Sequence, residues 1–207
     1  MTTTRWVLAA ATVILLAGCS AAPAEQPAES APTPKPTPSR LAIDVPVVST
    51  QLEPPRTPVQ PLSVEVPSEG IAVSVIPVGI QPDGLMELPA DVKVAGWYRY
   101  GADPLSPAGT TVIAAHVDSI EYGLGPFAGL KRLPAGTEIV VGMQDGSTVR
   151  YAIESVTSVL KEQLPLADVF DRSGAPRLVL ITCGGQFDYT ASSYSDNIVA
   201  VATPVTS

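Results

Sequence analysis

A single histidine and two cysteines make up the thiol and imidazole inventory of the chain: His116, Cys19 and Cys183. Cys183 follows the apolar run Leu178-Val179-Leu180-Ile181-Thr182 and precedes Gly184-Gly185. His116 follows the apolar run Val112-Ile113-Ala114-Ala115 and precedes Val117-Asp118-Ser119. A thiol attacks carbon as its thiolate, and a nearby imidazole is the usual source of the base or cation that makes thiolate available. Glycines beside the thiol let the backbone open to a substrate, and N–H groups there, that of Gly184 among them, can meet a developing oxyanion. A second reading of Cys183 is an inert buried cysteine packed as a small hydrophobe. A second reading of His116 is a core histidine with satisfied hydrogen bonds. Their equivalent places at the ends of two apolar strands favour a working pair, and the fold must decide whether they meet.

Cys19 stands in a different context. Arg5 precedes an apolar run from Trp6 to Ala17, and Gly18 and Cys19 close it. The run falls short of the about 20 apolar residues that cross a bilayer. A positive start, a short apolar middle and a small-residue end is the layout of a cleaved export signal. Leu16-Ala17-Gly18-Cys19 resembles the lipobox of bacterial lipoproteins. That resemblance implies that residues 1–18 are removed and that Cys19, carrying a diacylglyceryl group, becomes the N-terminus on the outer face of the cell membrane. An ordinary secretion signal with an incidental cysteine is the other reading. With Cys19 acylated, Cys183 is an unpaired thiol in an exported protein, a feature that calls for either use or burial.

Composition divides the rest. Residues 19–61 are rich in Pro, Ala, Ser, Thr and Glu, with runs such as APTPKPTPSR and EPPRTP. They lack the apolar density that offsets ordering entropy, so a disordered tether is expected. At about 3.1 Å per residue where polyproline-like, it reaches on the order of 100 Å. The patch LAIDVPVV within it (41–48) is more apolar. Residues 62–207 are rich in Val, Ile, Leu and Thr and have the size of one domain. The formal net charge of −8 disfavours nucleic acid as a partner, because phosphate binding needs clustered Lys and Arg. It also disfavours direct docking on an anionic membrane.

The elements that must position the pair read as strands. Apolar, β-branched segments at 71–79, 94–101, 110–117, 137–143, 147–160, 177–183 and 197–205, with a short one at LMEL (85–88), are bounded by Gly, Pro, Asp or Ser. VIAA and LVLI are continuously apolar, which predicts burial on both faces. Gln144-Asp145-Gly146 marks a hairpin turn. Only 125–133 and 165–170 read as helical, and both are short. About eight strands with one or two short helices predict a mainly β domain, a closed barrel or a sandwich.

GWYRYGADPLSPAGTTVIAAHVDS, then RLVLITCGGQFD, then YSDNIVAVA resemble the sortases, in particular the class F type of actinobacteria. The nucleophile signature of that family is matched by Leu180-Ile181-Thr182-Cys183, and its histidine stretch by Gly109 to His116. The similarity runs from about Ile71 to Ala202. It implies a closed eight-stranded sortase β-barrel needing no metal or organic cofactor. It implies a transpeptidase in which Cys183 attacks the Thr–Gly carbonyl of an LPxTG-like sorting signal. An amine of a cell-wall peptide then resolves the thioacyl enzyme, with His116 as acid and then base. The family usually carries an arginine just before Asp-Asn of the last strand, to position substrate and stabilise the oxyanion. Here that position is Ser195, followed by Asp196-Asn197. Serine has one donor and no charge, against five donors for guanidinium. Arg99 is the candidate substitute, Arg177 belongs at the far end of the cysteine strand, and Asp118 is either a partner of His116 or a loop carboxylate. The alternative to a transpeptidase is a catalytically impaired lipoprotein of the same fold that binds envelope peptides.

Overall fold

A computed structural model describes residues 56–205. The lipobox, Cys19, the patch at 41–48 and most of the expected tether lie outside the described residues.

Ten strands form: β1 (Pro61–Val66), β2 (Ile71–Val78), β3 (Val94–Tyr98), β4 (Thr110–Ala114), β5 (Asp118–Ser119), β6 (Gly123–Leu124), β7 (Glu138–Met143), β8 (Thr148–Leu160), β9 (Arg177–Asp188) and β10 (Ser193–Pro204). Eight of them close a barrel in the order β1-β2-β3-β4-β9-β10-β8-β7, while β5 and β6 form a separate small pair. The pairs β2–β3 and β4–β9 are parallel and the other barrel pairs antiparallel. The β7–β8 hairpin turns at Gln144–Gly146 as expected, with Gly146 at φ +84° where glycine carries no Cβ penalty.

Strand periodicity sorts the side chains into two layers. Val64, Val73, Ile113, Leu178, Leu180, Ile198 and Ala200 point into the barrel with Phe127 and Leu130 of the 3₁₀ turn Pro126–Arg132. Val112, Ala114, Val179, Ile181 and Val199 point outward and are covered by Val169 and Phe170 of the short helix α1 (Leu166–Val169) and its C-cap, together with Met86 and Leu88. This double cover explains why VIAA and LVLI carry no polar alternation. Both segments read as helical thus appear, each a single short element.

Two expectations change. LMEL forms no strand; Met86 makes only an isolated bridge to Ile80. A strand absent from the sequence reading, β1, fills the gap between β2 and β7. Its alternation of buried Val64 and Val66 with exposed Leu62 and Glu65 is short and adjoins the proline-rich stretch, which masks it. Just before β1, Arg56 pairs with the carboxylate of Asp103 and donates to Ser106 Oγ at 2.8 Å. Asp103 is buried, so Arg56 fastens the entry of the chain to the end of the barrel near Tyr151. Burial pushes the Tyr151 hydroxyl well above its ordinary range, and it donates to Pro104 O.

Candidate active site

The parallel pairing of β4 with β9 sets Val112 beside Val179 and Ala114 beside Ile181. Two residues further along each chain stand His116 and Cys183, in phase with those outward-facing residues. The ladder is carried past the end of β4 by Ala115 N donating to Ile181 O (3.1 Å) and by the buried Thr182 Oγ1 donating to Ala115 O (2.8 Å). Thr182 therefore locks the backbone between His116 and Cys183, and its place before the cysteine has a structural reason. His116 and Cys183 emerge at matching positions on one face, where the outer cover ends, and both are half-buried.

They line a single open cavity of about 850 Å³. Val117, Asp118, Ser119 and Ile120 form one wall, Phe187, Tyr189 and Tyr194 another, and Lys161 and Ser193 close a third side. The aromatic wall exists because β9 does not stop at the cysteine. It continues to Asp188, and Gly184-Gly185 bend it rather than end it: Asp196 pairs with Gly184 but Tyr194 with Phe187, so β9 carries one extra residue. This is a β-bulge, with Gly185 at φ +75°. The extended β9–β10 arm stacks Phe187 edge-on against Tyr189 and Tyr194.

The electrostatics are mixed. Burial pushes the Cys183 thiol up, Lys161 pulls it down, and Asp118 adds to the rise. Tyr194 Oη donates to Asp118 Oδ2 at 2.5 Å, which pushes the phenol up to about 12 and keeps it protonated. Asp118 thus accepts from Tyr194 and ties the loop after His116 to β10.

The remaining candidates separate. Ser195 does not line the cavity; two residues before Asn197 in the β10 register, its hydroxyl accepts from Gln186 N (3.0 Å) and donates to Asp196 Oδ1 (2.6 Å), holding the bulge. A Cβ at Gly185 would lie 2.2 Å from Ser195 Oγ, so glycine is required there. Gly184 stays within the ladder beside Cys183, and its missing side chain makes room for Ile198. Arg99 is not brought to the cavity. It follows β3, whose Gly96 pairs with Ala114 and Trp97 with Ile113, so each further step moves toward Thr110 and away from His116. Its guanidinium lies by Tyr100, with Nη2 donating to the hydroxyl at 2.9 Å. Arg177 pairs with Asp168 at the far end of β9, as its position predicted. Sequence reasoning missed Lys161, Tyr194 and Asn197. The last sits directly across from Cys183 on β10, a placement set by strand register that no local motif signals.

A thiol and an imidazole thus stand at matching positions on a closed barrel, at the mouth of a cavity with an aromatic wall. The family model described as "Sortase domain" matches residues 64–205, and the chain belongs to the sortase family. No curated protein matches the chain. Among solved structures, sortase C-1 from Actinomyces oris is similar at 18% identity and TM-score 0.53, covering 73% of this chain and 76% of that one. Sortase A from Corynebacterium diphtheriae is similar at 21% identity and TM-score 0.51, covering 73% of this chain and 63% of that one. A lid mutant of Streptococcus agalactiae sortase C1 is similar at 15% identity and TM-score 0.53, covering 70% and 69%. At these identities the likeness is one of fold: a mainly β, closed eight-stranded sortase barrel.

Proposed function

We propose that this protein is a cell-envelope transpeptidase of the class F kind, cleaving an LPxTG-like sorting signal through a thioacyl intermediate on Cys183. The observation that carries this reading is that His116, two residues beyond β4, and Cys183 on β9 continue the parallel β4–β9 register into one cavity. In the proposed cycle the Cys183 thiol proton passes to His116, and Cys183 Sγ attacks the Thr–Gly carbonyl. The oxyanion collapses to expel the glycine amine, which takes that proton from the His116 imidazolium. An amine of a cell-wall peptide then attacks the thioester while His116 accepts its proton and passes it to the departing thiolate, releasing the new amide and regenerating the thiol. The protons balance over the cycle, and no cofactor enters. Mixing the protein with an LPxTG-type peptide should leave an acyl adduct on Cys183 detectable by mass spectrometry. Peptide cleaved by wild type without any acyl mass on Cys183 would point to another nucleophile.

A second reading, an impaired sortase-fold lipoprotein that binds envelope peptides, is favoured by one observation: Ser195 stands at the arginine position with its hydroxyl engaged by the bulge. Peptide binding with neither adduct nor product would select it.

The place of action in this proposal is the outer face of the cell membrane, with Cys19 lipidated. The support is the lipobox-like Leu16-Ala17-Gly18-Cys19 after a short apolar run. Two or three acyl chains, at about 0.8 kcal/mol per buried CH₂, hold a protein stably on a bilayer. Cys19→Ala is expected to release the protein from membranes or leave its signal uncleaved. Unchanged membrane association, with an N-terminal peptide of unmodified mass, would end the lipid proposal.

A further inference from the structure

We propose that Lys161, held in place by Ser193, is a positioning residue that supplies the positive charge against which the Cys183 thiolate forms. The inference rests on Cys183 being the nucleophile. Lys161 follows the last residue of β8, where Leu160 pairs with Asp196 of β10 and Asp196 pairs with Gly184 of β9. Val159 is level with Cys183 through Asn197, so Lys161 lies two strands across and two residues along from the cysteine, about 12 Å between backbones, a gap that a lysine stem and a cysteine side chain narrow. Lys161 and Cys183 line the same cavity, and Lys161 is the only lysine or arginine among its lining residues.

Its partner makes the charge available. Lys161 Nζ donates to the neutral Ser193 Oγ at 2.8 Å and is in none of the ion pairs among the described residues. A lysine facing a carboxylate has its field cancelled locally; one fixed by a hydroxyl does not. The titratable and charged groups facing Cys183 across the cavity are His116 after β4, Asp118 on β5, Lys161 after β8, Tyr189 in the β9–β10 turn and Tyr194 on β10. Asp118 is the only carboxylate among them and accepts the Tyr194 hydroxyl, which disperses its charge. The opposing directions of the Lys161 and Asp118 effects on the thiol agree with this arrangement.

The test is the pH dependence of Cys183 modification in the folded protein by methyl methanethiosulfonate. This neutral reagent reacts with thiolate and expels methanesulfinate, so it needs neither peptide binding nor an acid. Lys161→Met is expected to move the labelling midpoint to higher pH and to slow labelling at pH 7 about three- to tenfold. Lys161→Arg is expected to label within about twofold of wild type, because it keeps the charge. Added salt should slow wild type toward Lys161→Met and leave the latter nearly unchanged. Equal midpoints for wild type and Lys161→Met, both folded by circular dichroism, would overturn the inference while leaving the nucleophile reading intact. A Lys161→Arg midpoint as high as that of Lys161→Met would also overturn it, since only packing would then matter. A wild-type Cys183 that labels only after denaturation would overturn both readings together.

Discussion

Cys183→Ala is expected to abolish transpeptidation and His116→Ala to reduce it on the order of 10,000-fold or more, with the double variant no worse than Cys183→Ala. Groups that act as a unit show this non-additivity, because neither does chemistry without the other. The two losses differ in kind. Without Cys183 there is no atom to acylate. Without His116 the thiol remains, but the glycine amine must leave without a proton, which blocks acylation at the departure step. Labelling by a methanethiosulfonate expels methanesulfinate, a leaving group that needs no acid. His116→Ala should therefore lose peptide cleavage far more severely than it loses labelling of Cys183. Equal loss of both would mean that His116 serves only to form thiolate and is not the acid. Undiminished cleavage in His116→Ala would remove it from the mechanism.

Ser195→Arg is expected to raise peptide cleavage about five- to thirtyfold. Ser195 lies on the same face as Asn197, which is directly opposite Cys183, so its Cβ is diagonal to that of the nucleophile. Diagonal neighbours across strands are separated by about 7–8 Å, within reach of a long side chain. A forked, charged donor there could meet the oxyanion formed at Cys183, an interaction whose loss costs a protease about 2.7–4 kcal/mol. Against it stands the loss of the acceptor for Gln186 N–H, about 1 kcal/mol, and of the Asp196 contact that helps hold the bulge. The balance leaves a net gain of about 1–2 kcal/mol, measured as kcat/KM on an LPxTG-type peptide beside Arg99→Ala. Arg99→Ala should change little, because Arg99 sits by Tyr100 away from the cavity. No rise with Ser195→Arg and a large loss with Arg99→Ala would mean that the arginine role has moved. No turnover in any variant would favour the peptide-binding reading.

The two predictions draw on different levels of the molecule. The first rests on residues that the sequence marks: a sole histidine and a free cysteine, each closing an apolar strand. The second depends on which face of β10 Ser195 occupies and on a one-residue bulge in β9. A bulge is invisible to periodicity, since Gly184-Gly185 reads equally well as the end of a strand. Local pattern therefore ends β9 at Cys183 and gives no sign of the aromatic wall from Phe187 to Tyr194.

The sequence by itself marked a mainly β domain, its strand segments and the candidate pair His116 and Cys183. Strand boundaries follow from local chemistry, as β-branched runs ended by Gly, Pro and Asp, and double-sided burial of VIAA and LVLI follows from their unbroken apolarity. Tertiary structure decided everything that depends on which strands are neighbours. Parallel pairing of β4 with β9 put His116 beside Cys183, across a chain separation that no local pattern encodes. The order β9-β10-β8 brought Lys161 to the same cavity, and the direction of β3 took Arg99 away from it. A side chain's type and local periodicity are written in adjacent residues. Its partners are set by barrel closure and register, which are properties of the whole chain.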